Sequence, residues 1–370
     1  MSGRETSVSH SETLQSRADT LQAFALNHGV SPEAYLAWKE VAQLREEIGD
    51  HDGLLYAKIR WGMTCSFSGH GAESLPLLAW CLSQCETDAK MMQRYRSHLL
   101  TFFRNVAGGV ADYDTLSLHQ IEQLIKRLQQ HMTSGHSGQR EIAFIRFTLA
   151  SHTGHIKRAE EAYREFIDSP RDLYSRCQAC ETDGVIQYLL FKQNWEEAIA
   201  QAQPALKGLA TCAEVPHRTI AYVLQPHALL GRYEEADALQ KRGYRLIRNN
   251  PRFLRHQALH IAYLRHRGRF VAALNMIERH FRSADETLIP LSQLYFFVAM
   301  RKVLQEVAFQ KSRVKLSLGV DLPGLQSDGY QEIAPLLGWL NSRIESRFTS
   351  FDRRNETSYI SQLMPKDFIY

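Results

Sequence analysis

The stretch LLGRYEEADALQ, residues 229–240, decides the fold of this chain. It contains a glycine, one further residue, an aromatic residue, two more residues and then an alanine. Nearly the same phrase returns as RHRGRFVAAL at 265–274 and, in weaker form, as KQNWEEAIA at 192–200. A glycine readily adopts the left-handed backbone conformation that ends a helix and turns the chain. The phrase therefore predicts the bend of a helical hairpin: the aromatic residue begins the second helix, and the alanine lies where the two helices approach closely.

Similar bends are expected at regular intervals along the chain. The candidates, in order, are Gly29, Gly69, Gly108 with Gly109, Gly154, Asn194, Gly231 and Gly268. Asn194 is included because asparagine, after glycine, is among the residues that most readily adopt the left-handed conformation. The steps between candidates are about 40, 40, 45, 40, 37 and 37 residues, which is the range typical of stacked helical hairpins. The spacing therefore predicts an all-α repeat protein.

The segments between the bends have the pattern of amphipathic helices. In IEQLIKRLQQHM, residues 121–132, apolar side chains recur every three or four positions. Ser117 and Gln120 precede that pattern as a capping box, and Ser31 followed by Pro32 is typical of another helix start. Pro204 and Pro226 lie inside expected helices and should kink or break them locally. The sequence contains no convincing strand pattern.

The two ends of the chain differ from the repeats. The polar segment 1–14 predicts a disordered lead-in to a repeat domain over 15–310. Residues 311–330 hold three glycines and one proline, which predicts a loop. Within 331–370, one amphipathic helix is predicted by Ile333, Leu336, Leu337, Leu340, Ile344 and Phe348. This helix would either cap the last apolar face of the array or transmit a signal to a following domain.

The bend residues resemble those of the tetratricopeptide-repeat superfamily. The resemblance is carried by Gly231, Tyr233 and Ala236; by Gly268, Phe270 and Ala273; by Asn194, Trp195 and Ala198; and by Gly154 with Ala159. It covers residues 31–282, although most first-helix positions and the closing proline of the family motif do not match. The long period is similar to the divergent repeats of bacterial signalling and transcription regulators. The resemblance implies a right-handed α-solenoid of about seven hairpins, capped by a C-terminal helix, with a concave groove for a protein or peptide partner.

A strongly basic segment, residues 240–270, contains no Asp or Glu. Within it, a candidate site for an acidic peptide, a phosphate or a nucleotide consists of Arg245, Arg248, Arg252 and Arg255. The segment 249–251, Asn-Asn-Pro, should interrupt the helix and leave the four arginines near one loop. The alternative is that acidic faces of neighbouring repeats balance the arginine charge, for example Glu234, Glu235 and Asp237. Nucleic acid is the least expected partner, because the net charge of the chain is only +4 and no nucleic-acid-binding motif occurs.

Aromatic residues on the first helices of the hairpins are candidates for the lining of the groove. They are Trp61, Phe147, Tyr188, Tyr222 and Tyr263. The alternative is that these side chains form the core between helices, as aromatic residues at helical spacing usually do.

The histidines and cysteines predict no metal site and no cofactor. His256 and His260 stand four apart, but the zinc-protease motif needs a glutamate where this chain has Gln257. Cys177 and Cys180 form a C-x-x-C without a second such pair, so we expect two core thiols one helical turn apart. The same interpretation applies to the second pair, Cys81 and Cys85.

The remaining features favour a binding protein over an enzyme. The sequence has no phosphate-binding loop, no nucleophile elbow and no recognisable catalytic triad. It also lacks a signal peptide and any apolar run of about 18 residues, so we expect a cytoplasmic protein that does not insert into membranes. The expected function is a non-enzymatic regulatory scaffold that holds a protein or peptide partner. The alternative, from the resemblance, is the sensory part of a larger bacterial diguanylate cyclase or transcription regulator whose output domain follows Tyr370.

Overall fold

The computed structural model of the protein describes residues 2–132 and 137–363. Over these residues the chain is all-α, as predicted, and successive helices pack against one another. The described residues form two compact units: unit 1 comprises residues 2–110 and 126–132, and unit 2 comprises residues 111–125 and 137–363. The predicted repeat domain over 15–310 is thus divided between the two units.

Unit 1 consists mainly of five helices. They are α1 (Ser2–Asn27), α2 (Pro32–Ile48), α3 (His51–Ser68), α4 (Gly71–Thr87) and α5 (Ala89–Gly109). A 3₁₀ turn (Val110–Asp112) follows, and then α6 (Leu118–Met132), which carries residues of both units. The core of unit 1 includes Trp38, Val41 and Leu54, which are buried together. A buried arginine, Arg45, joins α2 to its neighbours through Asp19 at 2.5 Å and Asp50 at 2.9 Å.

Unit 2 contains four consecutive helical hairpins followed by three more helices. The hairpins are α7 (Gln139–Thr153) with α8 (Ile156–Asp168), α9 (Gln178–Phe191) with α10 (Trp195–Leu206), α11 (His217–Leu229) with α12 (Tyr233–Ile247), and α13 (Leu254–His266) with α14 (Phe270–Glu286). A 3₁₀ turn (Pro251–Phe253) precedes α13, and α15 (Pro290–Ala308), α16 (Ile333–Asn355) and α17 (Tyr359–Leu363) complete the unit.

The predicted helix starts are confirmed by their hydrogen bonds. The Ser31 hydroxyl accepts a bond of 3.1 Å from the Ala34 amide at the start of α2. Before α6, the Gln120 amide donates to the Ser117 hydroxyl at 3.2 Å, and the Ser117 amide donates to the Gln120 side chain at 2.9 Å. These reciprocal bonds form the capping box that the sequence predicted.

Five of the predicted bends have the left-handed backbone. Their glycines, with φ between 62° and 84°, are Gly29, Gly69, Gly154, Gly231 and Gly268. Two predicted positions are wrong. Gly108 and Gly109 belong to α5, which continues to Gly109 before the 3₁₀ turn. At the second bend of unit 2, the left-handed residue is Gln193 with φ of 57°, whereas Asn194 has φ of −91° and precedes α10.

The alanine of the repeated phrase lies at the close approach of each hairpin in unit 2. The alanines five residues after the bend residue, all fully buried, are Ala159, Ala198, Ala236 and Ala273. Gln193, not Asn194, aligns with Gly231 and Gly268 in this register. The repeated phrase therefore places a methyl group where a larger side chain would separate the two helices.

The prolines and the two ends of the chain require corrections. Helices α10 and α11 continue past Pro204 and Pro226, so these residues do not break them. Residues 2–14 of the predicted disordered lead-in belong to α1, whose Ala18 and Ala25 are fully buried; Met1 lies outside the described residues. The sequence of this segment is polar but contains no proline, so nothing in it interrupts a helix that packs against α2.

The predicted loop over 311–330 contains part of a small sheet. Strands β1 (Arg313–Lys315) and β2 (Tyr330–Glu332) pair antiparallel, with Val314 opposite Gln331. The sequence missed them because each strand has only three residues. The predicted amphipathic face of α16 is confirmed by its buried residues Leu336, Leu340, Ile344 and Phe348. The helix predicted within 331–370 ends at Asn355, however, and is followed by α17; residues 364–370 of that prediction lie outside the described residues.

Within the two described ranges, none of the helices combines the length and the apolar character needed to cross a bilayer.

Candidate functional site

The four predicted anion-binding arginines do not form one surface. Arg245, in the last turn of α12, and Arg248, just after it, are exposed. Arg252 lies in the 3₁₀ turn and is paired with Glu214, while Arg255 is buried in α13 and donates to the Tyr295 hydroxyl at 2.8 Å. The chain changes direction after α12, so the last two arginines point into unit 2. The prediction of a single four-arginine site is therefore corrected.

Of the acidic residues expected to balance the arginine charge, Asp237 pairs with arginines of the basic segment, but not with these four. Asp237 pairs with Arg269 and accepts a hydrogen bond of 2.6 Å from the Tyr263 hydroxyl. Glu235 lies 3.7 Å from the ring of His227. Arg245 and Arg248 are thus not neutralised by Asp237, whose carboxylate balances Arg267 and Arg269 instead.

Most of the predicted groove aromatics belong to the core. Phe147, Tyr188, Tyr222 and Tyr263 are 0–7% exposed. Phe147 and Tyr188 pack in one cluster with Phe144 and Phe166. Two of the buried tyrosine hydroxyls have partners inside the protein: that of Tyr222 lies 3.0 Å from His256 Nε2, and that of Tyr263 donates to Asp237. These four residues hold helices together instead of lining a groove.

Trp61, in α3 of unit 1, is the fifth predicted groove aromatic. It is half-buried, and the Lys39 ammonium lies 5.3 Å from the centre of its ring. This contact is a cation–π interaction between neighbouring helices, which stabilises packing within unit 1. Trp61 is therefore part of the packing between α2 and α3.

The two histidines with metal-like spacing are buried and neutral. His256 and His260 both lie in α13, and burial lowers the pKa of His260 to about 3. Burial also places the pKa of His256 well below its usual value. Neither histidine belongs to a group of three or more closely spaced potential ligands among the described residues.

Three cysteines form a cluster that the sequence analysis did not assemble. The sulfur atoms of Cys177, Cys180 and Cys212, called the thiol cluster below, all lie within 4.8 Å of one another. The closest pair whose distance is known, Cys180 Sγ and Cys212 Sγ, is separated by 3.6 Å. All three cysteines are free thiols, and Cys177 is exposed. This is the one group of three potential metal ligands found in the described part of the chain.

The local backbone of two loops positions the thiols. Cys177 caps the N-terminus of α9, and its sulfur accepts a hydrogen bond of 3.4 Å from the Cys180 amide. Cys212 lies between α10 and α11, where its sulfur accepts a bond of 3.4 Å from the Glu214 amide. The Cys212 amide donates to the Val215 carbonyl at 2.9 Å and so closes a tight turn. The sulfur atoms of Cys177 and Cys212 therefore each accept a hydrogen bond from a main-chain N–H group.

The thiols differ in acidity because their surroundings differ. Burial acts to raise the pKa of the Cys177 thiol, but hydrogen bonds from the Cys180 and Ala179 amides and from neighbouring thiols lower it overall. Burial raises the pKa values of Cys180 and Cys212. The guanidinium group of Arg218 opposes this effect at Cys180. Cys177 is therefore the thiol that loses its proton most easily.

The thiol cluster shows what the sequence reasoning missed. A zinc ribbon needs a second C-x-x-C pair, whereas Cys212 is a single cysteine 32 residues after Cys180. The repeat period was the available signal: the loops before α9 and α11 occupy equivalent places in consecutive hairpins, so residues one period apart come together. The same rule brings Arg252, in the loop before α13, beside Glu214.

The interior of unit 2 also holds a polar region. A small cavity of about 10 Å³ is lined by Ser151, His152, Gln187, Phe191, Tyr222 and Arg255. A space of this size holds about one water molecule, so it cannot admit an organic substrate. Inside it, His152 Nε2 lies 3.1 Å from the Gln187 side-chain oxygen.

A short C-terminal segment, residues 356–363, lies against the helix ends beside this polar region; we call it the C-terminal arm. The Thr357 hydroxyl donates to the Thr153 carbonyl at 2.7 Å, at the end of α7. The Tyr359 ring lies 5.5 Å from that of Phe191, the last residue of α9. Tyr359 also packs so closely on Gly154 that a Cβ there would lie 2.4 Å from the Tyr359 Cβ. The arm is therefore held by specific contacts.

The end of α16 anchors the arm from the other side. The Arg354 guanidinium donates to the carbonyl oxygens of Ala111 at 2.8 Å and Tyr113 at 2.5 Å. His155 Nε2 lies 2.9 Å from the Asn355 carbonyl oxygen, and Arg347 pairs with Asp114 at 3.2 Å. The last helices of unit 2 are thereby joined to its first residues.

A larger cavity, of about 240 Å³, adjoins the contact points of the arm. It lies between α6, α7 and α8, and its lining includes Leu149, Thr153, His155 and Ala162. Charged groups of both signs surround it, namely Glu122, Arg146, Arg158, Glu161 and Glu165. The lining of this cavity therefore combines apolar and charged side chains.

Comparison with known proteins does not extend these observations: no protein-family model matches the chain, and no curated protein sequence matches it.

Proposed function

We propose that this protein is a non-enzymatic scaffold that binds a short helical segment of a partner protein on unit 2, at the ends of α7 and α9. The observation that carries the proposal is the docking of the C-terminal arm at this place. The arm contains a short helix, α17, and is held by the Tyr359 side chain and by one hydrogen bond from the Thr357 hydroxyl to a main-chain carbonyl. A segment of another protein with the same features would make the same contacts.

The arrangement of the hairpins supports this proposal. In unit 2 the first helices of the hairpins contact one another in order, from α7 through α9, α11 and α13 to α15. Such a continuous layer of first helices is typical of superhelical repeat arrays, in which it forms the surface that receives a partner. The tetratricopeptide-like bend residues fit the same class of scaffold.

The chemistry of the arm indicates what the partner segment should contain. Tyr359 supplies a large aromatic anchor, and Ile360 is buried with it. Aromatic anchors in a short helix commonly dominate the binding of helical peptides to grooves. A hydroxyl two residues before the aromatic residue, as in Thr357, would bond the Thr153 carbonyl. The partner segment is therefore expected to be a short amphipathic helix with one aromatic residue.

The experiment removes the arm and offers it back in trans. A chain that ends at Asn355 keeps α16 and its contacts, while the surface beneath residues 356–363 becomes free. A labelled peptide of residues 356–363, titrated to millimolar concentration, should bind this shortened chain saturably. The intact chain should bind it at least tenfold more weakly, because its own arm occupies the surface.

A matched peptide gives the control. Tyr359→Ala removes the aromatic anchor and should weaken binding at least tenfold, which corresponds to about 1.4 kcal/mol. If the shortened chain keeps its circular dichroism spectrum and still shows no saturable binding, the proposal is wrong. Equal binding of the two peptides would contradict it as well.

A further inference from the structure

We propose that Cys177, Cys180 and Cys212 together bind one Zn²⁺ ion, with a water molecule as the fourth ligand. This site is independent of the proposed scaffold function, because the arm and its contact residues include none of these cysteines. The expectation of no metal site rested on the missing second C-x-x-C pair. Folding supplies the third sulfur from the next hairpin instead.

The positions of the sulfur atoms fit one tetrahedral ion. Zinc–thiolate bonds of about 2.3 Å in a tetrahedral site place neighbouring sulfurs roughly 3.8 Å apart. Cys180 Sγ and Cys212 Sγ are 3.6 Å apart, and no pair in the thiol cluster exceeds 4.8 Å. Small rotations of the side chains therefore bring all three sulfurs within bonding distance of a single ion.

The main chain is arranged to stabilise thiolates. The Cys180 amide donates to Cys177 Sγ and the Glu214 amide donates to Cys212 Sγ, each at 3.4 Å. Amide donors to metal-bound sulfur offset its negative charge and fix its orientation. Cys177 also stands at the N-terminus of α9, where the helix dipole favours a thiolate.

Nearby charges also suit the loaded site. When the ion binds, three thiol protons are released, so Zn²⁺ with three thiolates carries a net charge of −1. The guanidinium groups of Arg218 and Arg252 are both close enough to interact electrostatically with Cys180 and Cys212. They offset the negative charge of the complex only in part, because Arg252 is also paired with Glu214. Arg218 is held in place by Asp183 at 2.9 Å and Glu214 at 3.2 Å.

The choice of zinc follows from the ligands. Thiolates select soft or borderline metals, and three sulfurs exclude Mg²⁺ and Ca²⁺, which prefer oxygen. Cys177 is exposed, so the ion can enter from solvent and its fourth position can hold water. A bound ion would join the loop before α9 to the loop before α11 and so couple two consecutive hairpins.

The test uses the whole chain and Co²⁺ as a spectroscopic probe. The reduced, chelator-treated protein should bind one Co²⁺ per chain, with sulfur-to-cobalt charge-transfer bands and the strong visible absorption of tetrahedral Co²⁺. One equivalent of Zn²⁺ should abolish these bands. Zn²⁺ should also raise the melting temperature of the protein.

Matched cysteine variants locate the site. Cys212→Ser should lower Zn²⁺ affinity at least a hundredfold and abolish the rise in melting temperature. Cys85→Ala, a buried cysteine in unit 1, should retain full binding. The inference is overturned if the reduced parent protein binds less than a tenth of an equivalent, or if Cys212→Ser binds as tightly as the parent. It is equally overturned if Cys180 and Cys212 form a disulfide and the reduced protein does not bind Zn²⁺.

Discussion

The bend at Gln193 and the bend at Gly231 have the same backbone, although different residues build them. Their φ angles are 57° and 72°. In the first, the Asn194 amide bonds the Leu189 carbonyl at 2.8 Å; in the second, the Arg232 amide bonds the His227 carbonyl, also at 2.8 Å. The hydrogen-bond pattern and the buried alanine therefore define the hairpin, while glycine only relieves strain at the bend.

The largest expected effect concerns the two alanines that follow these bends. Ala198→Phe and Ala236→Phe each place a ring where two helices meet without free space, so each should lower the free energy of unfolding by about 3 kcal/mol. Both alanines are fully buried. Urea denaturation measures the loss. Glu234→Ala, at an exposed position in α12, is the control and should change stability by less than about 0.5 kcal/mol. Unequal losses of unfolding free energy at the two alanines would show that the two hairpins are not packed equivalently.

The second effect separates the two bends. Gly231→Val puts a β-branched side chain on a left-handed backbone and should cost about 2 kcal/mol of unfolding free energy. Gln193→Val should cost less, because Gln193 already carries a Cβ in that conformation. Thermal melts of the two variants, compared with the parent, measure the difference. If Gly231→Val melts like the parent, residue 231 does not require the left-handed conformation.

The third effect depends on pH and comes from the residue four positions before each bend residue. His227 is buried at the Gly231 bend, and burial lowers its pKa, whereas the equivalent residue at the Gln193 bend is Leu189. The pKa of His227 in the folded chain lies below its value of about 6.5 in the unfolded chain. The folding stability that depends on a neutral His227 ring is therefore fully present above that pH and is lost as the pH falls below it.

A pair of variants measures this pH dependence. Between pH 7 and pH 5, the parent should lose about 1 kcal/mol more unfolding free energy than His227→Leu does. Leu189→His should introduce the same additional loss at the other bend. Urea denaturation at several pH values provides both slopes. Identical slopes in the parent and in His227→Leu would show that His227 titrates alike in the folded and unfolded chains.

The smallest expected effect is a gain. Gln193→Gly should raise the free energy of unfolding by about 0.5 kcal/mol, because relief of left-handed strain exceeds the added flexibility of the unfolded chain. Asn194→Gly should give no gain, since Asn194 has φ of −91° and its side-chain amide donates a hydrogen bond of 2.6 Å to the Glu197 carboxylate. Stabilisation by Asn194→Gly instead would restore the register that the sequence alone suggested.

The bend register illustrates how far local signals reach. Glycine at 154, 231 and 268 marked the correct residues, because a left-handed backbone strongly favours glycine. At the remaining bend no glycine is present, and the propensity of asparagine favoured residue 194 over its neighbour. Packing determines which residue lies at the bend. Because Trp195 begins α10 and Ala198 is buried against the preceding helix, Gln193 is the residue at the turn.

The candidate sites required more than local signals. The spacing of Arg245, Arg248, Arg252 and Arg255 suggested one surface, but the 3₁₀ turn at Pro251–Phe253 redirects the chain. The groove aromatics were chosen from helical position alone, and burial places Phe147 and Tyr222 in the core. Sequence spacing indicates which residues share a helix, but it does not indicate which face a neighbouring hairpin covers.

By itself, the sequence determined that the chain is all-α and where most of its hairpins bend. These features depend on interactions between residues that are near one another along the chain, such as glycine turns, capping boxes and apolar periodicity. Only the tertiary structure decided that Cys212 meets Cys177 and Cys180, that Glu214 meets Arg252, and that the C-terminal arm lies on α7 and α9. Those contacts join residues from different hairpins or from distant parts of unit 2, and they exist only once helix packing has fixed the distance and rotation between the elements.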